Sequence, residues 1–334
     1  MRFRRLTLIV LFAAALSPGL WWRSDRVVQD TANRPRPLVL VPIPAMTPAN
    51  WPAGLTVAGA WHLVSSFRGF GGYSALLANG DDTLTAISDH AWTLRFAMPD
   101  SGRDQVFGFD MVGRSARDKS GIDIESVTTD PATGRRWFGY EVHNQIGRFD
   151  EGAAGPRMAA PPAMAHWPEN AGPEALVRLA DGRFIVLREG APWLSSGARP
   201  GLLFPGDPVE GAVPLEFGFR PPIGYDPTDM AQLPDGRVVI LLRALDLPLP
   251  PFFRNKLVMA DPRSIEPGKP WPWEELATIH GNLPRENYEG LAIAPDEAGV
   301  TMWLISDDNS TLFQRTVLLE LRWQIPPPKP AGRP

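Results

Sequence analysis

A chain of 334 residues that is 44% hydrophobic has ample apolar material for a large packed core, and this excludes disorder along its body. A formal net charge of −4, from 37 acidic against 33 basic residues, offers no field for nucleic acid. The absence of cysteine excludes disulfides, thiolate metal sites and thiol nucleophiles, while 37 prolines and 31 glycines favour short elements and turns over long helices.

In chain order, residues 1–22 read as a secretory signal. Arg2, Arg4 and Arg5 form a positive start, Leu6 to Leu16 is apolar, and Pro18-Gly19 follows. Trp21 and Trp22 stand where a cleavage site wants small residues, so an uncleaved anchor is the secondary reading, although the apolar stretch is short for a spanning helix. The expectation is a periplasmic or secreted protein, tethered to the inner membrane by this N-terminal segment wherever the signal stays on. Residues 23–54 read as a Pro-rich linker, 55–325 as the folded domain and 326–334 as a Pro-rich tail.

Within the folded domain one phrase returns five times: an anchor opening a short apolar run, then a turn, a second apolar run and a charged ending. The copies run from Ser74 to Asp89, Glu125 to Glu141, Glu174 to Glu189, Asp229 to Arg243 and Glu289 to Asp307-Asp308. The anchors lie 51, 49, 55 and 60 residues apart. Strand-built repeats of this length predict an all-β fold, a β-propeller. Five blades are counted directly, and the longer connections leave room for a sixth. Asp181-Gly182 and Asp235-Gly236, 54 residues apart between apolar runs, predict two-residue hairpin turns with both turn residues at positive φ. Further strands are expected at Thr93–Phe96, Gln145–Phe149, Gly201–Phe204, Leu257–Ala260 and Val317–Trp323. An open sheet edge invites aggregation, so Leu55–Phe67 is expected to pair with Val317–Trp323 and close the ring.

Inner strands of a propeller start at the channel mouth, so equivalent positions converge there. The expected ring contains Glu125, Glu174, Asp229 and Glu289 as metal ligands, with Asp89 and Asp308 beside them. Glu141, Glu189 and Asp307 are candidate bases, and Arg188 and Arg243 candidate charge stabilisers. Packed carboxylates need a compensating cation or proton, and hard oxygen donors favour calcium. Calcium here would hold and polarise a phosphate or carboxylate ester, a small anionic substrate. The competing reading of each anchor is a register group that accepts backbone hydrogen bonds from the next blade. His90 and His143 are weaker candidates for general bases. Trp271 and Trp273, in Pro270-Trp271-Pro272-Trp273, read either as a cap on a blade or as an exposed grip on a ligand.

The chain resembles the phytase-like family, described as esterase-like activity of phytase. The resemblance rests on Gly72-Tyr73-Ser74-Ala75-Leu76, Asp123-Ile124-Glu125-Ser126-Val127, Gly172-Pro173-Glu174-Ala175-Leu176, Pro227-Thr228-Asp229-Met230-Ala231, Asn287-Tyr288-Glu289-Gly290-Leu291 and Leu304-Ile305-Ser306-Asp307-Asp308-Asn309. It implies an exported bacterial propeller and, by the family's name, hydrolysis of a phosphate or carboxylic ester. Arg-His-Gly is absent, so a phosphohistidine route is not on offer and phosphatase chemistry would need a metal. Ser74 and Arg243 depart from the acidic pattern, which favours one calcium over several. Two alternatives stand beside the hydrolase: a non-catalytic periplasmic binding propeller and a lactonase-type metallohydrolase.

Overall fold

The computed structural model describes residues 38–67, 69–99, 101–102, 108–111, 123–150, 153, 155–190, 197–246, 252–296, 298–311 and 313–325. The signal or anchor expected at 1–22 and the tail at 326–334 lie outside these residues. Among the described residues no helix is long and apolar enough to cross a membrane.

Among the described residues the strands form five sheets. The first two strands, β1 (Leu38–Pro42) and β2 (Leu55–Ser65), belong to the last blade. Blade one is β3 (Tyr73–Asn79), β4 (Thr83–Ser88), β5 (Trp92–Ala97) and β6 (Gly108–Met111), and blade two is β7 (Ile124–Thr129), β8 (Arg136–Tyr140), β9 (Gln145–Phe149) and β10 (Arg157–Ala159). Blade three is β11 (Ala175–Arg178), β12 (Phe184–Leu187), β13 (Arg199–Phe204) and β14 (Leu215–Phe219), and blade four starts with β15 (Asp226–Gln232), β16 (Val238–Asp246) and β17 (Phe252–Ala260). The short β18 (Pro270–Trp271) then joins blade three, and β19 (Trp273–Ile279) completes blade four. Blade five is β20 (Asn287–Asp296), β21 (Gly299–Asp307) and β22 (Val317–Trp323), extended outward by β2 and β1.

Inner strands β3, β7, β11, β15 and β20 touch in that order, and β20 returns to β3. The ring therefore closes on five blades with no place for a sixth. Closure is made as expected: β2 pairs antiparallel with β22, with Leu55 opposite Trp323 and His62 opposite Val317. The linker expected over 23–54 needs correction, because β1 pairs along its whole length with Trp61–Ser65. A fourth strand alone would leave the edge of β2 bare; β1 covers it.

The second strand of each hairpin is apolar on consecutive residues because both of its faces are packed. Phe184–Leu187 and Val238–Leu242 are all buried. Each gap between blades holds one apolar cluster. Blades one and two share Ile87 and Phe138, two and three Trp137 and Val186, three and four Leu187 and Ile240, four and five Leu241 and Leu304, and five and one Ile305 and Leu94. Gly290 marks a close approach: a Cβ there would sit 2.9 Å from the backbone of Ala75 and Leu76 in the next blade.

The Asp-Gly turns differ from expectation. Only Gly182 (φ 88°) and Gly236 (φ 91°) have positive φ, not the aspartates. The Gly182 amide donates to Leu179 O (2.9 Å) and the Leu179 amide to Arg183 O (2.8 Å), a type I turn followed by a left-handed glycine. The aspartates instead cap the turn, with Asp181 Oδ1 accepting from the Arg183 amide and Asp235 Oδ1 from the Arg237 amide.

The Pro-Trp segment is a cap. Trp271 is buried edge-on against Phe217 and Phe219 with its indole N–H donated to Asp261 O (2.9 Å), and Trp273 donates to Arg220 O (2.8 Å).

Candidate functional site

Four inner strands carry a β-bulge at the same place. Pairing skips from Tyr73 to Ala75, Ile124 to Ser126, Pro227 to Asp229 and Tyr288 to Gly290, so Ser74, Glu125, Thr228 and Glu289 are the extra residues. In the third blade pairing begins at Ala175, and Glu174 stands just ahead of it. A bulge re-aims a side chain, and here it turns the anchor toward the channel. Glu125 feels the charges of both Glu174 and Glu289, which fixes their convergence from three blades.

A second tier comes from the ends of the hairpins. The amides of Asp89, Glu141 and Glu189 donate to Gly72, Asp123 and Gly172 O, while Arg243 and Asp307 stand opposite Asp226 and Asn287. Two triplets result, Asp123–Glu125–Glu141 and Glu141–Glu174–Glu189, each offering carboxylate oxygens within 4.8 Å of one another. Glu141 belongs to both.

The opposite side of the mouth carries the counter-charge. Arg243 Nη2 donates to Glu189 Oε1 (2.7 Å), and Nη1 donates to Asn287 Oδ1 (2.9 Å) and to Glu289 Oε1. Asn287 Nδ2 also donates to Glu289 Oε1 (2.8 Å). Arg243 is thereby held firmly protonated, its desolvation outweighed by the Glu289, Glu189 and Glu174 carboxylates.

One guanidinium cannot neutralise the set. Burial, reinforced by neighbouring carboxylates, pushes Glu125, Glu174 and Asp307 well above the usual range. Burial also raises Asp123, Glu189 and Glu289, with Arg243 pulling the last two back. Glu141 is pushed up to about 7, by burial first and then by Asp123 and Glu189. Asp89 joins the cluster electrostatically through Asp307 and Glu289, and holds His90 Nδ1 at 2.8 Å.

Three expected members are placed elsewhere. Asp229 lies one residue beyond the bulge, faces the next blade, and accepts from the amides of Leu291 (2.6 Å) and Met230 (2.8 Å). It serves as a register group between blades and stands in neither carboxylate triplet. Asp308 likewise accepts from the amides of Gly72 (3.2 Å) and Ser310 (3.0 Å), which ties blade five to blade one. Arg188 is one residue off the second tier, and its nearest charges are Arg199 and Asp226 rather than the mouth carboxylates. His143 is exposed.

Asp123 is the member that sequence reasoning missed. It occupies the position of Asp226 and Asn287, two residues before the bulge, and alignment of the copies on their bulges exposes it. Asp226 at that position is instead taken by the buried Arg199 and the Gly190 amide.

The donor set is all hard oxygen, with no sulfur or imidazole in either triplet, and so fits a hard divalent cation. Fold and site define a five-bladed β-propeller with an acidic, arginine-braced channel mouth. Residues 68–310 match the phytase-like family described as esterase-like activity of phytase, and the chain belongs to that family. No curated protein matches it. Among solved structures, the chain is similar to hydrazine synthase of Kuenenia stuttgartiensis, at 14% identity over 72% of this chain and 57% of that one, TM-score 0.37. It is also similar to YCF48 bound to a D1 peptide, at 12% identity over 81% and 74% of the two chains, TM-score 0.41. The β-propeller domain of Cps50 (Swd1) from Myceliophteria thermophila matches at 10% identity over 86% and 100%, TM-score 0.40. Likenesses of this order add nothing to the site.

Proposed function

We propose that the channel mouth binds calcium on Asp123, Glu125, Glu141, Glu174 and Glu189, and that the protein is an exported hydrolase of a phosphate or carboxylic ester. The observation that carries this reading is the pair of carboxylate triplets sharing Glu141, with oxygens within 4.8 Å of one another. Family membership supports the ester class.

A bound divalent cation supplies charge that holds a substrate oxyanion and polarises the ester. Arg243 cannot swing out to do the same, because Glu189, Glu289 and Asn287 hold three of its contacts; it positions Glu189 and Glu289 and limits repulsion at the mouth. Of the three expected bases, Glu189 is engaged by Arg243 and Asp307 stands in neither triplet, whereas Glu141 is shared by both, so Glu141 is the carboxylate that would take a proton from water beside the cation.

The test is a calorimetric calcium titration of chelator-stripped protein, followed by a screen of phosphate esters, carboxylic esters and lactones. Saturable micromolar binding, lost in Glu125→Gln/Glu174→Gln, together with calcium-dependent turnover is expected. A second reading has one observation in its favour: the mouth already accommodates a guanidinium, that of Arg243, as a receptor for cationic ligands would. Calcium silence up to millimolar concentration would move the assignment to that non-catalytic binding propeller.

A further inference from the structure

A second concavity lies outside the acidic ring. Asp307 and Asp308 are consecutive, yet Asp307 belongs to the mouth while Asp308 lines a cleft of about 140 Å³ formed with His62, Ser65, Gln314, Arg315 and Thr316. The cleft sits where the end of β2 meets the loop between β21 and β22, and it opens past the exposed Val64 and Arg315.

Its hydrogen-bonding capacity is one-sided. The only carboxylate, Asp308, already accepts from the amides of Gly72 and Ser310 and from the Thr316 hydroxyl. Arg315 uses Nε (2.9 Å) and Nη2 (2.6 Å) on Glu286 Oε1, which leaves Nη1 without a partner among the described residues. Gln314 spends its carbonyl oxygen on Asn309 Nδ2 (2.6 Å) and keeps its amide N–H groups. Ser65 Oγ accepts from the Phe67 amide, so its proton remains to be given. The His62 ring has no hydrogen bond to a described residue. Unspent donors from four residues thus line one cleft, and its carboxylate, Asp308, is already engaged by three donors.

From this juxtaposition we propose that the cleft of His62, Ser65, Gln314 and Arg315 is a binding site for a tetrahedral oxyanion, a phosphate or phosphate monoester. Its shape follows from the donors. Glu286 takes the Nε/Nη2 edge of Arg315, so the guanidinium reaches a ligand with its remaining Nη1 and Nη2 hydrogens. Separate single donors from four side chains suit a group with oxygens pointing in four directions. The site goes beyond the ester chemistry of the mouth and does not depend on it, because it uses none of the triplet carboxylates.

His62 reports on occupancy. Burial and Arg315 hold its pKa below the usual value, while Glu286 and Asp308 pull the other way. An added anion strengthens the second pair, so it raises the His62 pKa, and binding tightens as pH falls through that value.

The experiment follows the His62 imidazole by NMR over a pH series, with chelator present, as inorganic phosphate is added against sodium chloride of equal ionic strength. The expected result is a saturable upward shift of about one pH unit at millimolar phosphate. It should be absent in Arg315→Gln and unchanged in Glu174→Gln. Gln314→Leu, which leaves the Arg315–Glu286 pair intact, should weaken binding at least threefold and serves if Arg315→Gln does not fold. Methyl phosphate acting like inorganic phosphate supports a monoester, and inorganic phosphate acting alone supports the free anion. No shift of His62, or the same shift in Arg315→Gln and Gln314→Leu, overturns the site. A response that needs calcium and disappears in Glu174→Gln also overturns it, by assigning the anion to the mouth.

Discussion

Glu174 and Asp229 are both buried carboxylates in inner-strand segments, and they differ in what surrounds them. Two backbone amides meet Asp229, whereas other carboxylates crowd Glu174. Removing the first group orphans two buried N–H donors, so Asp229→Ala should destabilise the protein by about 2–4 kcal/mol, at ~1–2 per unsatisfied donor. Chemical denaturation measures this, and calcium affinity should stay within about twofold, since no triplet loses a ligand. Removing the second relieves like-charge crowding. Glu174→Gln should therefore raise the melting temperature of metal-free protein at pH 8, by the few degrees that ~1 kcal/mol produces, while weakening calcium binding at least tenfold. A fall in melting temperature would mean that Glu174 is held by a partner rather than repelled by neighbours. The residue types at the mouth were legible in the chain; their partners were not. Choosing between ligand and register group needs the bulge, which decides whether an acid faces the channel or the neighbouring blade.

At the scale of elements the strands were well marked, because each buried second strand is apolar on successive residues and each hairpin is punctuated. β9 and β22 fall where the apolar runs place them. The fourth anchor is off by one residue, and the hairpins show why. The two Asp-Gly turns are 54 residues apart, a spacing that makes Thr228, not Asp229, the equivalent of Glu174. A bulge adds one residue without changing the apolar pattern, so only spacing measured from a rigid turn reveals it. Those turns depend on their glycines. Gly236→Ala places a Cβ at φ 91° and should cost about 1–2 kcal/mol, measured by denaturation, with calcium binding unaffected because the turn lies at the far end of the blade from the mouth. Gly80, which has open space around it and no left-handed φ, is the control: Gly80→Ala should cost less than ~0.5 kcal/mol.

For the molecule as a whole, the mouth is where ring closure concentrates charge, and that links stability to pH. Carboxyl groups whose pKa is raised on folding bind more protons in the native than in the unfolded state, so stability falls as pH rises. The contribution is intact below the ordinary carboxylate value, near 4.5, and is lost as pH climbs through the raised values, with Glu141 titrating at about 7. Metal-free protein should thus melt at steadily lower temperature from pH 5 to pH 8. Calcium at a hundredfold excess over its Kd should restore about 2.7 kcal/mol at pH 8, and calorimetric melts with and without chelator check both signs. A melting temperature flat across this range would show that the mouth carboxylates stay charged without penalty.

The sequence by itself determined the repeat, the all-β class, the closing of the ring by its two ends and the acidic character of one face. Those follow from local patterns: apolar runs, turns and spacing. Tertiary structure alone decided that five blades suffice, that Leu38–Pro42 is strand rather than linker, and that Asp123 joins the mouth while Asp229, Asp308 and Arg188 do not. Each of these depends on which face of a strand meets the next blade, and a shift of one residue reverses that face while leaving composition and periodicity unchanged.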